Sequence, residues 1–368
     1  MRDIAPRILF VPVSGAYGMG EYARSLAIAR AAARRWPDAL MHFVLSREAP
    51  YAADAPFPVT LLDASPTFHS AAVIDLLESW RPDVVIFDNA GRTAQLRAAQ
   101  RLGARVIYIS ARARQRRKAF RWRWLALIDE HWIAYPEFIA GSLGFFERLK
   151  LKMAGRPAVR YLDVILSPAD PDQSAATLAR AGCSPGTFVL VVPGGGTGHP
   201  GALDAADRFT EAARALADRG VPTVYVGAAP NGAAAEDMTA VPNWHPLGPL
   251  PQAELVALMR AARLVISNGG STLLQAIACG NACIAVAIAK DQSERIRRCV
   301  AAGVALAAPL DAAGMVQSTQ RLLADEAALA ALKARSAQLG LADGVEVALQ
   351  SLAGLLPSVQ APQGVEHA

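Results

Sequence analysis

Three glycine-rich turns carry the clearest chemistry in this sequence, and each directly follows an apolar run. They lie at residues 14–20 (SGAYGMG), 193–201 (PGGGTGHPG) and 268–272 (NGGST). Glycine lets a backbone pass close to a ligand, and a helix that starts there turns its unpaired N–H groups onto the same spot. In the third turn Asn268, Gly269 and Gly270 lead into a helix opening with Ser271 and Thr272, whose hydroxyls add two more donors. The chemistry predicted is retention of a phosphate or diphosphate. Three such turns in one chain predict a nucleotide-type ligand held between domains.

The elements that must position these turns alternate. Apolar runs at 7–13, 41–45, 59–62, 83–87, 105–109, 127–134 and 158–166 read as strands, with helices at 21–36, 71–79 and 93–102. A polar segment with two prolines, 167–177, reads as a linker. A second series follows, with strands at 188–192, 223–226, 264–266 and 283–288 and helices at 204–219, 254–262, 273–278, 293–302, 315–339 and 345–355. The strand runs are continuously apolar, as in parallel sheets covered on both faces. The expected organisation is an α/β chain with an N-terminal Rossmann-like domain at 1–166, the linker, a second Rossmann-like domain at 178–344, a C-terminal helix at 345–356 and a flexible tail at 357–368.

Composition narrows the class. At 368 residues, with 53% hydrophobic and 19% charged residues, the chain exceeds the usual single-domain size and has enough apolar side chains for two cores. No run of about 18 apolar residues exists to span a membrane. The sequence enters its first strand by residue 7, with no apolar leader before it, which predicts a cytoplasmic protein. Cys183, Cys279, Cys283 and Cys299 lack zinc-ligand spacing and read as buried free thiols.

Several of these residues fit one pattern. Gly194-Gly195-Gly196-Thr197-Gly198 closes a strand, Ser267, Gly269 and Thr272 stand as S-x-G-x-x-T before a helix, Ala278 and Gly280 precede another strand, and Asp291-Gln292 follow it. The chain resembles the GT-B superfamily of nucleotide-sugar enzymes, in particular the peptidoglycan N-acetylglucosaminyltransferases (MurG type) and the nucleotide-sugar hydrolases of pseudaminic acid synthesis. Gly18, Gly20, Arg24, Leu26 and Ala29 match the N-terminal loop of the hydrolase branch, with Glu21 in the place of its histidine. The residue on the donor helix that is usually acidic is Gln275, and Gly280-Asn281-Ala282 lacks the usual proline.

The resemblance implies two Rossmann-like parallel-sheet domains facing a cleft. It also implies an inverting glycosyltransferase without metal or cofactor, using a nucleotide-diphosphate sugar, UDP-linked by expectation, and a lipid-linked or cell-surface glycan acceptor. The diphosphate would rest on Gly195, Gly196, Thr197, Gly198 and on Asn268 to Thr272, with Gln275 at the ribose, Leu247 and Gly248 at the base, and Asp291 and Gln292 at the sugar. Deprotonating the acceptor needs a base. Glu21 and Asp88 are the candidate carboxylates, with His199 beside the donor loop. The alternatives are a helix-terminal glutamate favoured by the macrodipole, an aspartate capping its own turn, and an exposed loop histidine. Gly18, Gly20, Arg24 and Asn89 would line the acceptor side. A nucleotide-sugar hydrolase or epimerase is the enzymic alternative, and a non-catalytic sugar-nucleotide or nucleic-acid binding protein the non-enzymic one.

Residues 112–123 (RARQRRKAFRWR) hold seven cationic side chains and no acid, with Phe120 and Trp122 among them. Arg116, Arg117, Lys118 and Trp122 are expected to meet a polyanionic acceptor or the inner face of an anionic membrane. A solvated basic helix is the plain alternative, and nucleic acid is set behind these readings.

Overall fold

The computed structural model describes residues 5–16, 19–167, 171–194, 204–227 and 242–356. The chain divides into two compact units: Met1–Asp163 together with the segment from Asp343, and Val164–Ala342.

The first unit is built on β1 (Arg7–Pro12), α1 (Gly20–Arg35), β2 (Leu40–Ser46), β3 (Val59–Leu62), α2 (Ser70–Trp80), β4 (Val84–Asp88), α3 (Thr93–Arg101) and β5 (Arg105–Ser110). It continues with α4 (Ala113–Ala119), α5 (Trp122–Leu125), β6 (Glu130–Ile133), α6 (Glu137–Ala140), α7 (Phe145–Ala154) and β7 (Ala158–Tyr161). The seven strands pair in the order β3-β2-β1-β4-β5-β6-β7. All pairings are parallel; Val11 stands opposite Phe87, and Pro12 opposite Asp88. Leu9, Val11, Phe87, Tyr108 and Trp124 are fully buried in its core.

The second unit follows the same plan. It comprises α8 (Pro171–Ala181), β8 (Val189–Val192), α9 (Ala205–Ala217), β9 (Thr223–Tyr225), β10 (Trp244–Pro246), α10 (Gln252–Ala261), β11 (Leu264–Asn268) and α11 (Ser271–Ala278). Then come β12 (Ala282–Val286), α12 (Lys290–Ala301), β13 (Leu306–Ala308), α13 (Ala312–Ala324) and α14 (Glu326–Gln338). Its strands order as β10-β9-β8-β11-β12-β13, again all parallel.

Several features differ from the sequence reading, among them helices α6 and α7, which it did not contain, and the expected helix at 315–339, which is divided at Asp325 into α13 and α14. The second half of the expected linker is helical, because Pro171 occupies the first position of α8, where a missing N–H costs nothing. Trp244–Pro246 and Leu306–Ala308 are three-residue edge strands rather than loop. Asp291 and Gln292 lie in the first turn of α12, not in a loop. The last helix, α15 (Gly344–Leu355), belongs to the first unit, where Ser351 Oγ donates to the buried Glu130 carboxylate. The expected tail lies outside the described residues. Of the four free cysteines, Cys283 and Cys299 are buried, whereas Cys183 and Cys279 are only partly so.

Candidate functional site

In an open parallel sheet, ligands gather beyond the carboxyl ends of the strands where the order of connection reverses. In the second unit that point lies between β8 and β11. β8 runs into Pro193-Gly194, and β11 into Asn268-Gly269-Gly270. The buried Asn268 side chain ties the two ends together. Its Nδ2 donates to the Pro193 carbonyl at 2.7 Å, and its Oδ1 accepts from Gly270 N at 2.9 Å. Gln292, from the first turn of α12, holds the turn from the other side: its Oε1 accepts from Gly269 N at 3.2 Å and from Ile288 N at 3.0 Å. Arg295 Nη1 donates to the Gly269 carbonyl.

Side chains crowd both glycines of this turn. A Cβ on Gly269 would stand 2.7 Å from the Ile296 side chain, and one on Gly270 2.7 Å from Asn268 Oδ1. The turn delivers α11 with Gly270 as its N-cap and no side-chain cap, whereas Asp311, Asp325 and Asp343 cap α13, α14 and α15. Exposed Ser271 and half-exposed Thr272 open α11. Uncapped N–H groups, a positive helix end and two hydroxyls are the groups an anion would need.

The other predicted donor residues are placed as follows. Leu247 and Gly248 leave the carboxyl end of β10, with Leu247 N bonded to the Tyr225 carbonyl at 2.9 Å. Gln275 is buried, and its Nε2 donates to the Ile165 carbonyl at 3.1 Å. Gln292 serves as the latch of the glycine turn, a role its pairing with Asp291 in the sequence did not signal. Gly18, Gly195, Gly196, Thr197, Gly198 and His199 lie outside the described residues, as does the side chain of Asp291.

The first unit has its own reversal point, between β1 and β4. Here the structure separates the two candidate carboxylates. Asp88 is fully buried. Arg24 grips it with two bonds, Nε to Oδ2 at 2.8 Å and Nη2 to Oδ1 at 2.7 Å, and Ser25 Oγ adds a third at 3.4 Å. Burial pushes the Asp88 carboxyl up to about 6, against the pull of Arg24. Burial opposes the Arg24 charge too, but Asp88 outweighs it and holds the guanidinium protonated. With both oxygens taken, Asp88 positions Arg24, and the Arg24 guanidinium is turned inward rather than toward an acceptor.

Removing Arg24 would leave a buried carboxylate alone. Arg24→Met is therefore expected to destabilise the fold by about 3–5 kcal/mol at neutral pH. The loss shrinks as pH falls toward 6, because without the pull of Arg24 the buried carboxyl lies higher still and takes up its proton at a pH where the wild-type group is charged. Urea unfolding at pH 8 and pH 5 measures both effects.

Glu21 is the carboxylate left open. It sits at the start of α1, half-exposed, and Asn89 Nδ2 donates to its Oε1 at 2.8 Å. Asn89 is itself oriented, because its Oδ1 accepts from Ala111 N at 2.8 Å. Its positive φ of 52° is one that asparagine tolerates. Tyr51, absent from the sequence reading, stacks on Tyr22 at 4.2 Å. Burial, aided by the Glu21 charge, pushes the Tyr51 hydroxyl up to about 12. Its segment, YAADAPF, has neither periodicity nor motif to flag it. Gly20 is exposed at the N-terminus of α1.

The basic cluster is not one surface. Arg116 is buried and bonds the carbonyls of Ala140, Gly141 and Ser142 and both oxygens of Glu147. It braces the segment between α6 and α7 and is not available to an acceptor. Lys118 is half-buried, its Nζ bonded to the Gly91 carbonyl at 2.8 Å and 4.1 Å from the Trp124 ring centroid. Burial and the nearby Arg92, Arg121, Arg114 and Arg123 bring it down to about 8. Arg117 and Trp122 are exposed. Arg116→Ala is expected to cost about 2 kcal/mol or more and Arg117→Ala less than about 0.5 kcal/mol, measured by chemical denaturation. Among the described residues no group of three His, Cys, Asp or Glu side chains is placed to hold a metal ion.

Comparison with known proteins agrees with this fold. A family model described as UDP-N-acetylglucosamine 2-epimerase matches residues 166–352. No curated protein matches the sequence significantly. Among solved structures, a UDP-glucosyltransferase from Polygonum tinctorium capable of glucosylating indoxyl superposes with a TM-score of 0.65 at 14% identity, covering 95% of this chain and 98% of that one. A calicheamicin glycosyltransferase gives 0.63 at 16% identity, with 95% and 98% covered. A UDP-N-acetylglucosamine 2-epimerase gives 0.59 at 13%, with both chains covered over 100%. At these identities the likeness is one of fold, the GT-B fold of two Rossmann-like parallel-sheet domains.

Proposed function

The chain belongs to the UDP-N-acetylglucosamine 2-epimerase family, and from that premise we propose that it is an inverting glycosyltransferase using a UDP-linked sugar. The diphosphate rests on the uncapped start of α11, at Gly270, Ser271 and Thr272. Glu21 takes the proton of the acceptor hydroxyl as that oxygen attacks the anomeric carbon. The bond from that carbon to the diphosphate breaks, and the helix N–H groups receive the negative charge left on it. Neither step asks for a bound metal. The acceptor is a lipid-linked or anionic surface glycan, a reading supported by the exposed Arg112, Arg114, Arg117, Arg121 and Arg123.

One observation carries transfer over epimerisation. Inverting a carbon centre by proton removal and return calls for groups on both faces of that carbon. At the reversal point of the first unit, Asp88 is sealed by Arg24 and Glu21 is the carboxylate left accessible. Among the described residues at that point, one accessible base suits a single deprotonation. The family match over 166–352 favours the second reading, a UDP-sugar epimerase.

Incubation with UDP-N-acetylglucosamine in deuterated water, followed by proton NMR, separates them. The transferase reading expects slow release of UDP without acceptor, abolished in Ser271→Ala/Thr272→Ala, and no deuterium in the sugar. Deuterium at C2 with appearance of the epimer would overturn it in favour of the epimerase. Fast turnover to UDP and free sugar would overturn it in favour of the hydrolase.

A further inference from the structure

Amphipathic helices on a globular unit normally turn their apolar stripe inward. α7, FFERLKLKMA, does the reverse, and none of its residues is buried. Phe145 is 67% exposed, Phe146 74%, Leu149 42% and Met153 68%. At the helical repeat these four side chains share an arc of about 100°. Lys150 borders the arc on one side, and Arg148 and Lys152 border it on the other. The opposite face carries Glu147, whose carboxylate is consumed by Arg116 at 2.7 Å. α5 extends the patch: Lys150 Nζ donates to the Phe120 carbonyl at 3.2 Å and stands 5.9 Å from the ring centroid of Trp122, which is 52% exposed. Arg121 and Arg123 flank that tryptophan, both exposed.

We propose that α7 and Trp122 form a peripheral docking surface for an anionic phospholipid bilayer. The aromatic and aliphatic side chains enter the headgroup–acyl boundary, and the bordering lysines and arginines meet the lipid phosphates. The charge pattern selects this occupant. A second copy joined across a two-fold axis would set this cationic rim against itself. Single-stranded nucleic acid stacks on aromatic rings but gives Leu149 and Met153 nothing to bury against. The surface shares Arg121 and Arg123 with the acceptor reading above, but α7 and Trp122 take no part in the reaction and the test involves no turnover.

The test is co-sedimentation of the full chain with phosphatidylcholine vesicles, with and without phosphatidylglycerol. Binding is expected with the anionic vesicles, to be weak with the neutral ones, and to fall as salt rises. Phe145→Ser/Phe146→Ser is expected to lower partitioning about tenfold or more, and Arg148→Gln/Lys152→Gln to lower it on anionic vesicles alone. Both variants should keep the wild-type melting temperature, since the altered side chains are exposed. Absence of vesicle binding, equal binding by the Phe145→Ser/Phe146→Ser variant, or a vesicle-free dimer that this variant dissociates would each overturn the proposal.

Discussion

Glu21→Gln is expected to lower the rate of sugar transfer about 100- to 10,000-fold while leaving the melting temperature and nucleotide binding as they are. The substitution is close to isosteric. The glutamine carbonyl can still accept from Asn89 Nδ2, which Ala111 N orients through the other side of the same amide. What is lost is the capacity to take a proton. Asp88 cannot substitute, because both of its oxygens are held by Arg24 in the interior of the unit. The companion variant Asp88→Asn separates the two roles. It should lose stability through the unpaired Arg24 charge and retain turnover in the fraction that folds. Steady-state rates beside thermal melts distinguish the outcomes. Glu21→Gln turnover within about threefold of wild type would remove Glu21 as the base.

The strands were legible because parallel strands buried on both faces leave continuous apolar runs, and β1, β4, β5, β8 and β11 all have one. β10 and β13 have three residues each at sheet edges and leave no such run. The glycine turn at Gly269 and Gly270 was readable because crowding by Ile296 and Asn268 excludes other residues there. The sealing of Asp88 was not, since its partner lies 64 residues away and only the fold brings them together. Arg116 and Arg117 make the same point locally. They are adjacent in one basic run, yet one rotation step of α4 buries the first and exposes the second. Helix α7 was not read from the sequence at all, and no sequence pattern says which face of a helix meets protein.

Gly194→Ala is expected to abolish nucleotide-induced stabilisation and to cost the fold about 1–3 kcal/mol. Gly194 has φ of +104°, and a Cβ there would stand 2.1 Å from Asn268 Nδ2. That nitrogen bonds the Pro193 carbonyl, and the same side chain bonds Gly270 N, so displacing it frees both strand ends and the entry to α11. Gly220→Ala supplies the contrast. Its φ is +78°, but a Cβ there meets nothing within 4 Å. It should carry the backbone cost of a left-handed residue, about 1 kcal/mol, and keep the ligand response. Thermal melts of both variants with and without UDP make the comparison. A ligand at about 100 times its Kd adds about 2.7 kcal/mol to the folded state, a shift large enough to register its loss. If Gly194→Ala and Gly220→Ala respond to UDP alike, the Asn268 tie is not what prepares the start of α11 for an anion. The N–H groups of that helix would then be ready without it, and the two strand ends would be joined for stability alone.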